Sequence, residues 1–430
     1  MNGTCIRVRN YVSQMPSYGI VFIELTERNW YRMKTNVAVL FGGNSVEHEV
    51  SIISALQAIA SMDKEKYNVF PIYITKDSEF YYGPDLNDIK SYKNIPQLLK
   101  SCQHVTFFTK NKKTYLVSAT KKGFEKKLEV VIDVAFPIVH GTNVEDGTIE
   151  GYLHMLHLPY VGCDVMSSAL CMDKYFSKII LKNAGIPVLD GLKFTSADAT
   201  DMQKIYESIE KKFAYPVIIK PVNLGSSVGI ARADNSDELI DAVNNAFTYA
   251  EKILVEPAVQ NLKEINCSVI GDMENAEPSE CESPVTSDKI LSYEDKYMDS
   301  NGGSKSGSKG MASLKRKIPA DISDELRDKI RQTAVDAFKV LECNGVVRID
   351  FLVDEKTNEF WLNEVNSIPG SLAFYLWKPL GVDYPALLDK MISLSLKRER
   401  MNDDIMWSFD TNLLSTFSER GGAKGAKGTK

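Results

Sequence analysis

The sequence predicts an α/β protein: an open, mainly parallel N-terminal sheet domain, then two smaller α+β segments. Three observations predict it. An apolar run rich in β-formers, residues 36–41, ends in Gly42-Gly43-Asn44-Ser45 and is followed by helical apolar spacing over 51–62 and a second apolar run over 69–74. That order is a βαβ unit. A third buried-strand run, 130–139, ends in His140-Gly141 and a polar turn with Glu145, Asp146 and Gly147. Further on, short strand patterns alternate with amphipathic helices, and the runs 346–353 and 359–363 read as two strands joined by a turn. Ligands of open α/β sheets sit beyond the carboxyl ends of the strands, where these glycine turns lie.

The remaining elements follow in order. Residues 149–157 read as a helix, and so do 166–184, stopped by Pro187. Residues 215–220 form a strand that runs into PVNLGSSVG, 221–229. Strands are expected over 230–233, 253–256 and 263–270, and helices over 236–247, 322–341 and 384–396. Residues 299–310 are rich in Gly, Ser and Lys and read as a mobile loop, the natural lid. The chain divides into 1–33, an extension outside the fold, with Met33 the expected natural start; an N-terminal α/β domain, 34–155; two α+β segments, 156–256 and 257–400; and a partly disordered tail, 401–430.

Composition narrows the function. The chain has 430 residues, 44% hydrophobic and 25% charged, which is ordinary for a folded globular protein with two or three domains. A net charge of −6 argues against nucleic acid as the main partner. No run is long and apolar enough for a membrane helix. The seven cysteines form no C-x-x-C pair and read as reduced thiols in a cytoplasmic protein.

Two constellations carry chemistry. The 225–229 loop follows a strand, so its backbone N–H groups can approach phosphate oxygens, with the Lys220 ammonium beside them. The same loop also suits a plain β-hairpin. Arg348 and Asp350 share one face of a strand, and Glu364 and Asn366 share one face of its partner, because residues two apart point the same way. Asp, Glu and Asn oxygens in that arrangement suit a hard cation such as Mg²⁺ bridging nucleotide phosphates. Cross-strand ion pairing on a solvated face is the alternative. His154 and His157 lack a third ligand and read as a helix face. The basic run 305–317 reads as a solvated loop.

Six stretches, in this order, are shared with one family: LFGGNSVEHEVS (40–51), HGTNVEDG (140–147), ALCMDK (169–174), IKPVNLGSSVG (219–229), YEDKY (293–297) and NEVNSIPG (363–370). From about residue 34 to 396 the chain resembles the ATP-grasp ligases, and within them the D-alanine–D-alanine ligase family. The resemblance implies a pre-ATP-grasp domain followed by an ATP-grasp fold of two subdomains. It implies ATP-dependent ligation of two amino acids through an acyl phosphate, for peptidoglycan precursor synthesis, by a cytoplasmic homodimer. Glu47 would hold the ammonium of the first amino acid, with Ser226 and Tyr297 as its hydrogen-bond partners. Lys174, Lys220 and Ser227 would contact ATP phosphates, Glu256 the adenine and Glu264 the ribose. Asp350, Glu364 and Asn366 would hold two Mg²⁺ ions, with Mn²⁺ a substitute. Arg348 and the Gly370 N–H would form the oxyanion hole, and His140 would lie near the first substrate.

Beyond Gly370 the chain departs from the family. It reads SLAFYLW over 371–377, where a family serine that holds the second substrate's carboxylate falls on Tyr375. Tyr375 and Leu376 are therefore the expected acceptor contacts. The acceptor stays open at this point among D-alanine, D-serine, a D-hydroxy acid and another amine, and a non-catalytic ATP-binding regulator is the remaining alternative.

Overall fold

The computed structural model describes residues 34–120, 127–284 and 316–406. Tyr297, the expected lid at 299–310, residues 1–33 and the tail beyond 406 lie outside the described residues. No described helix is long and apolar enough to cross a membrane.

The first sheet has seven strands: β1 Thr35–Gly42, β2 Tyr67–Ile74, β3 Phe80–Tyr82, β4 Gln103–Lys110, β5 Lys113–Ser118, β6 Glu129–Ile132 and β7 Val134–Pro137. Their order is β6-β5-β4-β3-β2-β1-β7. Parallel pairing is confined to β1 with β2 and β7, joined by crossovers that include α1, His48–Ser61. The strands from β2 out to β6 pair antiparallel. The sheet is thus mixed, and its antiparallel half comes from a meander at 80–118 whose short, interrupted apolar runs carry no clear period. The single run expected over 130–139 splits at Asp133, whose carboxylate accepts from the Asn36 N–H at 2.8 Å. The split lets β6 pair with β5 and β7 with β1.

Strand β1 is the centre of this layer, and Val37 to Phe41 are fully buried. Its end is built for a sharp turn. Gly42 has φ +95°, and a Cβ there would lie 2.3 Å from the Ile74 carbonyl oxygen, so only glycine fits. Ser51 of α1 fastens the turn: its Oγ accepts from Gly42 N–H at 2.7 Å and donates to the Ile138 carbonyl at 2.6 Å. The ends of β1 and β7 are thereby held side by side.

Two antiparallel sheets follow. One contains β8 Leu192–Thr195, β9 Val217–Pro221, β10 Ala231–Ala233 and β11 Lys252–Pro257, in the order β10-β9-β11-β8. Its core packs under the helices at Met202–Lys212 and Ser236–Tyr249. The other contains β12 Leu262–Gly271, β13 Ala276–Pro284, β14 Arg316–Lys317, β15 Gly345–Asp354 and β16 Phe360–Asn366, in the order β14-β13-β12-β15-β16. The helix Asp324–Val340 covers it. The last helix, Tyr384–Asp403, returns to the core of the first sheet, which it shares with Ile270, Val346 and residues 372–377. The first and third sheets are therefore welded by one apolar cluster.

The helix expected over 166–184 is two, Val165–Met172 and Lys174–Asn183. Asp173 breaks it by leaving helical geometry and capping the second piece, accepting from the N–H groups of Tyr175 and Phe176 at 3.1 and 3.0 Å. The break puts Lys174 at the first helical position, aimed at the 225–229 loop. All six described cysteines are buried and none is in a disulfide.

Ser51→Ala should cost about 1–3 kcal/mol, because it leaves the buried Gly42 N–H and Ile138 C=O without their partner. Urea unfolding measures this, and a loss below about 0.5 kcal/mol would contradict the fastening role.

Candidate functional site

A cleft lies where the three sheets meet. Its walls are Glu47 at the start of α1, His140, Glu145, Lys174, Ser226, Arg348, Glu364, Asn366 and Gly370. The two strands expected to share a polar face do so in register: Arg348 lies opposite Asn366, and Asp350 opposite Glu364. Arg348 grips Asp350 with two parallel bonds, Nε to Oδ1 and Nη2 to Oδ2, both 2.7 Å. Burial alone would lower the Arg348 pKa, but the Asp350 carboxylate overcomes this and raises it well above the usual value. Asn366 donates to Asp350 Oδ2 at 3.1 Å. Glu364 pairs with the Lys174 ammonium at 3.1 Å, and Lys174 also donates to the Leu224 carbonyl at 2.7 Å. The face is not a solvated ion-pair surface, since Lys174 and Arg348 are both buried.

A second buried set lies at the end of β9. Glu256 is 1% exposed and accepts from two ammonium groups, Lys220 and Lys178. Burial would raise the Glu256 pKa, but these cations overcome it and hold the carboxyl below its ordinary range. Lys178 is pushed down to about 8, by burial first and by Lys220 as a like charge. Lys220 also donates to Asn363 Oδ1 at 2.9 Å. Lys178 escaped the sequence reading. The available signal was its place one helical turn after Lys174, on the same face.

The 225–229 loop closes the third side. Ser226 and Ser227 have φ of 55° and 61°, and the Ser226 hydroxyl donates to Glu47. A Cβ on Gly225 would lie 2.6 Å from Glu47 Oε2, so any larger residue here would displace the Glu47 carboxylate. Glu47 begins α1 but makes no side-chain cap bond to it, so it is not a plain helix-capping acid. Glu145, in the polar turn after His140, also belongs to this wall. Its Oε1 accepts from Ile368 N–H at 2.8 Å and Ser367 Oγ at 3.1 Å, and its Oε2 accepts from Gly141 N–H at 2.9 Å. Burial and then the neighbouring Glu47 push its pKa up to about 8.

His140 is 3% exposed. Its Nδ1 lies 2.8 Å from the Ile368 carbonyl, which can only accept, so Nδ1 carries the proton. Its Nε2 then accepts from Ser54 Oγ at 3.0 Å. Burial lowers its pKa to about 4, so it is neutral. Both ring nitrogens are engaged, which leaves it no role as a free base in this arrangement.

Two profiles of known families match the chain, "D-ala D-ala ligase N-terminus" over residues 36–163 and "D-ala D-ala ligase C-terminus" over 180–393. The chain belongs to the D-alanine–D-alanine ligase family. It is 39% identical over 380 residues to the D-alanine–D-alanine ligase of Thermosipho melanesiensis, covering 88% of this chain and 98% of that protein. To that of Thermoanaerobacter sp. strain X514 it is 40% identical over 373 residues, covering 85% and 97%. Its fold matches the D-alanine–D-alanine ligase structure from Coxiella burnetii with a TM-score of 0.70 at 29% identity, covering 86% of this chain and 96% of that one. It matches the D-Ala:D-Ser ligase VanG from Enterococcus faecalis with a TM-score of 0.69 at 29% identity, covering 84% and 99%.

Within this ligase-family chain the expected residues fall into three groups. Glu47, His140, Lys174, Ser226, Arg348, Glu364, Asn366 and Gly370 line the cleft. Asp350, Lys220 and Glu256 are bonded to residues in or beside that wall, Ser227 lies in its loop, and Glu264 shares a β12 face with Asn266, which is opposite Asp350. Tyr375 and Leu376 belong to the core instead of the lining. The Tyr375 ring packs under the Arg316 guanidinium at 3.8 Å, and its hydroxyl is 3.4 Å from Glu282. Burial first, then Glu282, raise its pKa to about 12. The basic run is likewise not all solvated, because Arg316 pairs with the buried Glu282 at 2.6 Å.

The His140 environment predicts a pH signature. The folded-state pKa lies below the unfolded value of 6.5, so the unfolded chain binds more protons between about 6.5 and 4 and stability falls as pH drops through that window. His140→Asn, which keeps an N–H near the Ile368 carbonyl, should lose less stability than wild type between pH 7 and pH 5. Urea unfolding at both pH values checks it, and equal losses would contradict a buried neutral histidine.

Proposed function

We propose that this chain joins two D-amino acids, D-alanine to D-alanine, with cleavage of ATP to ADP and phosphate by phosphoryl transfer to the first carboxylate, for peptidoglycan precursor synthesis. The observation that carries the proposal is the strand-paired set Arg348–Asp350 and Glu364–Asn366, next to buried Lys174 and Lys220 and opposite Glu47. We also propose the domain division 34–155, 156–256 and 257–400, with nucleotide between the last two, and a cytoplasmic homodimer.

The donor set fits a hard divalent cation. Asp350, Glu364 and Asn366 present oxygens from adjacent strands, the ligand chemistry of Mg²⁺. Among the described residues no group of three His, Cys, Asp or Glu side chains forms a metal cage, so Mg²⁺ here would need phosphate oxygens to complete its shell. When bound, Mg²⁺ offsets charge on the transferring phosphoryl group. The chain's own residues do the rest. Lys174 and Lys220, with Ser227 and the loop amides, orient the phosphates. Glu256 and Glu264 would contact the base and ribose. Glu47, held by Ser226, takes the ammonium of the first D-alanine and points its carboxylate toward the γ-phosphate. Phosphoryl transfer makes an acyl phosphate, and the second amine attacks it. Arg348 and the Gly370 N–H receive the tetrahedral oxyanion, a donor of this kind contributing roughly 3–4 kcal/mol.

Incubation with ATP, Mg²⁺ and single or paired D-amino acids, with products identified by mass spectrometry, tests the proposal. D-alanyl-D-alanine and ADP should form in equal amounts. A D-alanyl-D-serine or D-alanyl-lactate product would reassign the acceptor, and no ADP with any pair would sink the ligase reading. Glu364→Gln removes a carboxylate from the cation set and should lower ADP formation on the order of 10³-fold. Full turnover by that variant would contradict the metal assignment.

A further inference from the structure

The segment that follows Asn366 is held in an unfavourable shape. Ser371, Leu372 and Ala373 have φ of 53°, 52° and 49°, three successive left-handed residues, none of them glycine. Each costs roughly 1–2 kcal/mol, so the surroundings must over-determine this turn. They do so from both sides of Gly370. Upstream, Glu145 accepts from the Ile368 N–H at 2.8 Å and from Ser367 Oγ at 3.1 Å, while the His140 ring donates to the Ile368 carbonyl at 2.8 Å. Downstream, the Ser371 N–H donates to Ser54 Oγ at 2.9 Å, and the Ser54 hydroxyl is spent on His140 Nε2 at 3.0 Å. Every bond in this chain runs from a donor to an acceptor, so one set of proton positions satisfies the whole circuit.

We propose that Glu145, His140 and Ser54 are positioning residues that clamp residues 367–371 and so aim the Gly370 N–H at the tetrahedral oxyanion, a role that rests on the ligase reading above. The clamp acts on the second half-reaction. Asn366 is anchored separately by Asp350 and the Arg348 carbonyl, at 3.1 and 3.3 Å, so loosening the clamp leaves the cation set in place. Glu145→Gln replaces one acceptor oxygen by an NH₂, which cannot accept from the Ile368 or Gly141 N–H.

Two rates separate the half-reactions. Movement of ¹⁸O from the β,γ-bridge of ATP to the nonbridging β positions, with D-alanine bound, reports reversible phosphoryl transfer. Dipeptide release reports the complete reaction. In Glu145→Gln the isotope exchange should stay within about twofold of wild type while dipeptide formation falls on the order of 10²-fold, the loss that follows misplacing one oxyanion donor. Ser54→Ala should shift the same ratio in the same direction by about tenfold, and it keeps the test decisive should Glu145→Gln fail to fold. Equal losses in both rates, or no loss in either, would overturn the clamp. A wild-type chain that shows neither exchange nor dipeptide overturns the ligase reading, and the clamp with it.

Discussion

A charge taken out of water must be met by an opposite charge or by donors and acceptors, and this constraint shapes the site. Lys174, Lys178, Lys220 and Arg348 are all buried, and their partners are Glu364, Glu256 and Asp350. Lys174–Glu364, Lys178–Glu256 and Lys220–Glu256 join separate parts of the chain, whereas Arg348 and Asp350 are neighbours on one strand. Lys174 and Lys178 come from the helix that Asp173 starts, Lys220 from the end of β9, Glu256 from β11, and the remaining partners from β15 and β16. The pairs therefore fix how the second and third sheets face each other. On the proposed reading, phosphate oxygens would take the place of Glu364 on Lys174, and a cation that of Lys174 on Glu364. The polar set that closes the fold on itself is the one that a nucleotide and its cation would rearrange.

The first sheet contributes through backbone turns instead of ion pairs. Gly42 and Ser51 hold the ends of β1 and β7 together, which brings Glu47 and the 140–147 turn to one edge. Burial and the neighbouring Glu47 carboxylate make Glu145 costly to charge, and the three groups that donate to it offset part of this cost. One apolar cluster runs from this sheet through Ile368, Leu372 and Leu376 into the last helix, so the turn at 368–376 has little freedom of its own.

Much of this was legible in the sequence where a simple period applied. Arg348 with Asp350, and Glu364 with Asn366, were placed on common faces by the two-residue repeat alone, and the register pairs them. The βαβ start and the glycine turns were legible because few residues tolerate their geometry. Other features had no local signal. Asp133 and Asp173 interrupt apolar runs that look continuous, because each side chain captures backbone N–H groups. Lys178 and Arg316 resemble solvated cations until the fold brings up Glu256 and Glu282. Glu145 sits in an ordinary polar turn, and two of the three groups it holds, Ile368 N–H and Ser367 Oγ, lie more than two hundred positions away. Tyr375 stands where a family serine falls, yet its ring is taken up by Arg316 and the core.

On the proposed function these pairs serve phosphoryl transfer to a carboxylate and then amide formation at the same carbon. The most direct test is the fate of carboxylate oxygen. With D-alanine labelled by ¹⁸O in its carboxyl group, ATP and Mg²⁺, each dipeptide formed should release one phosphate carrying a single ¹⁸O, read by mass spectrometry. Dipeptide formed with unlabelled phosphate would show that the carboxylate is never phosphorylated, and would rule out the acyl-phosphate route.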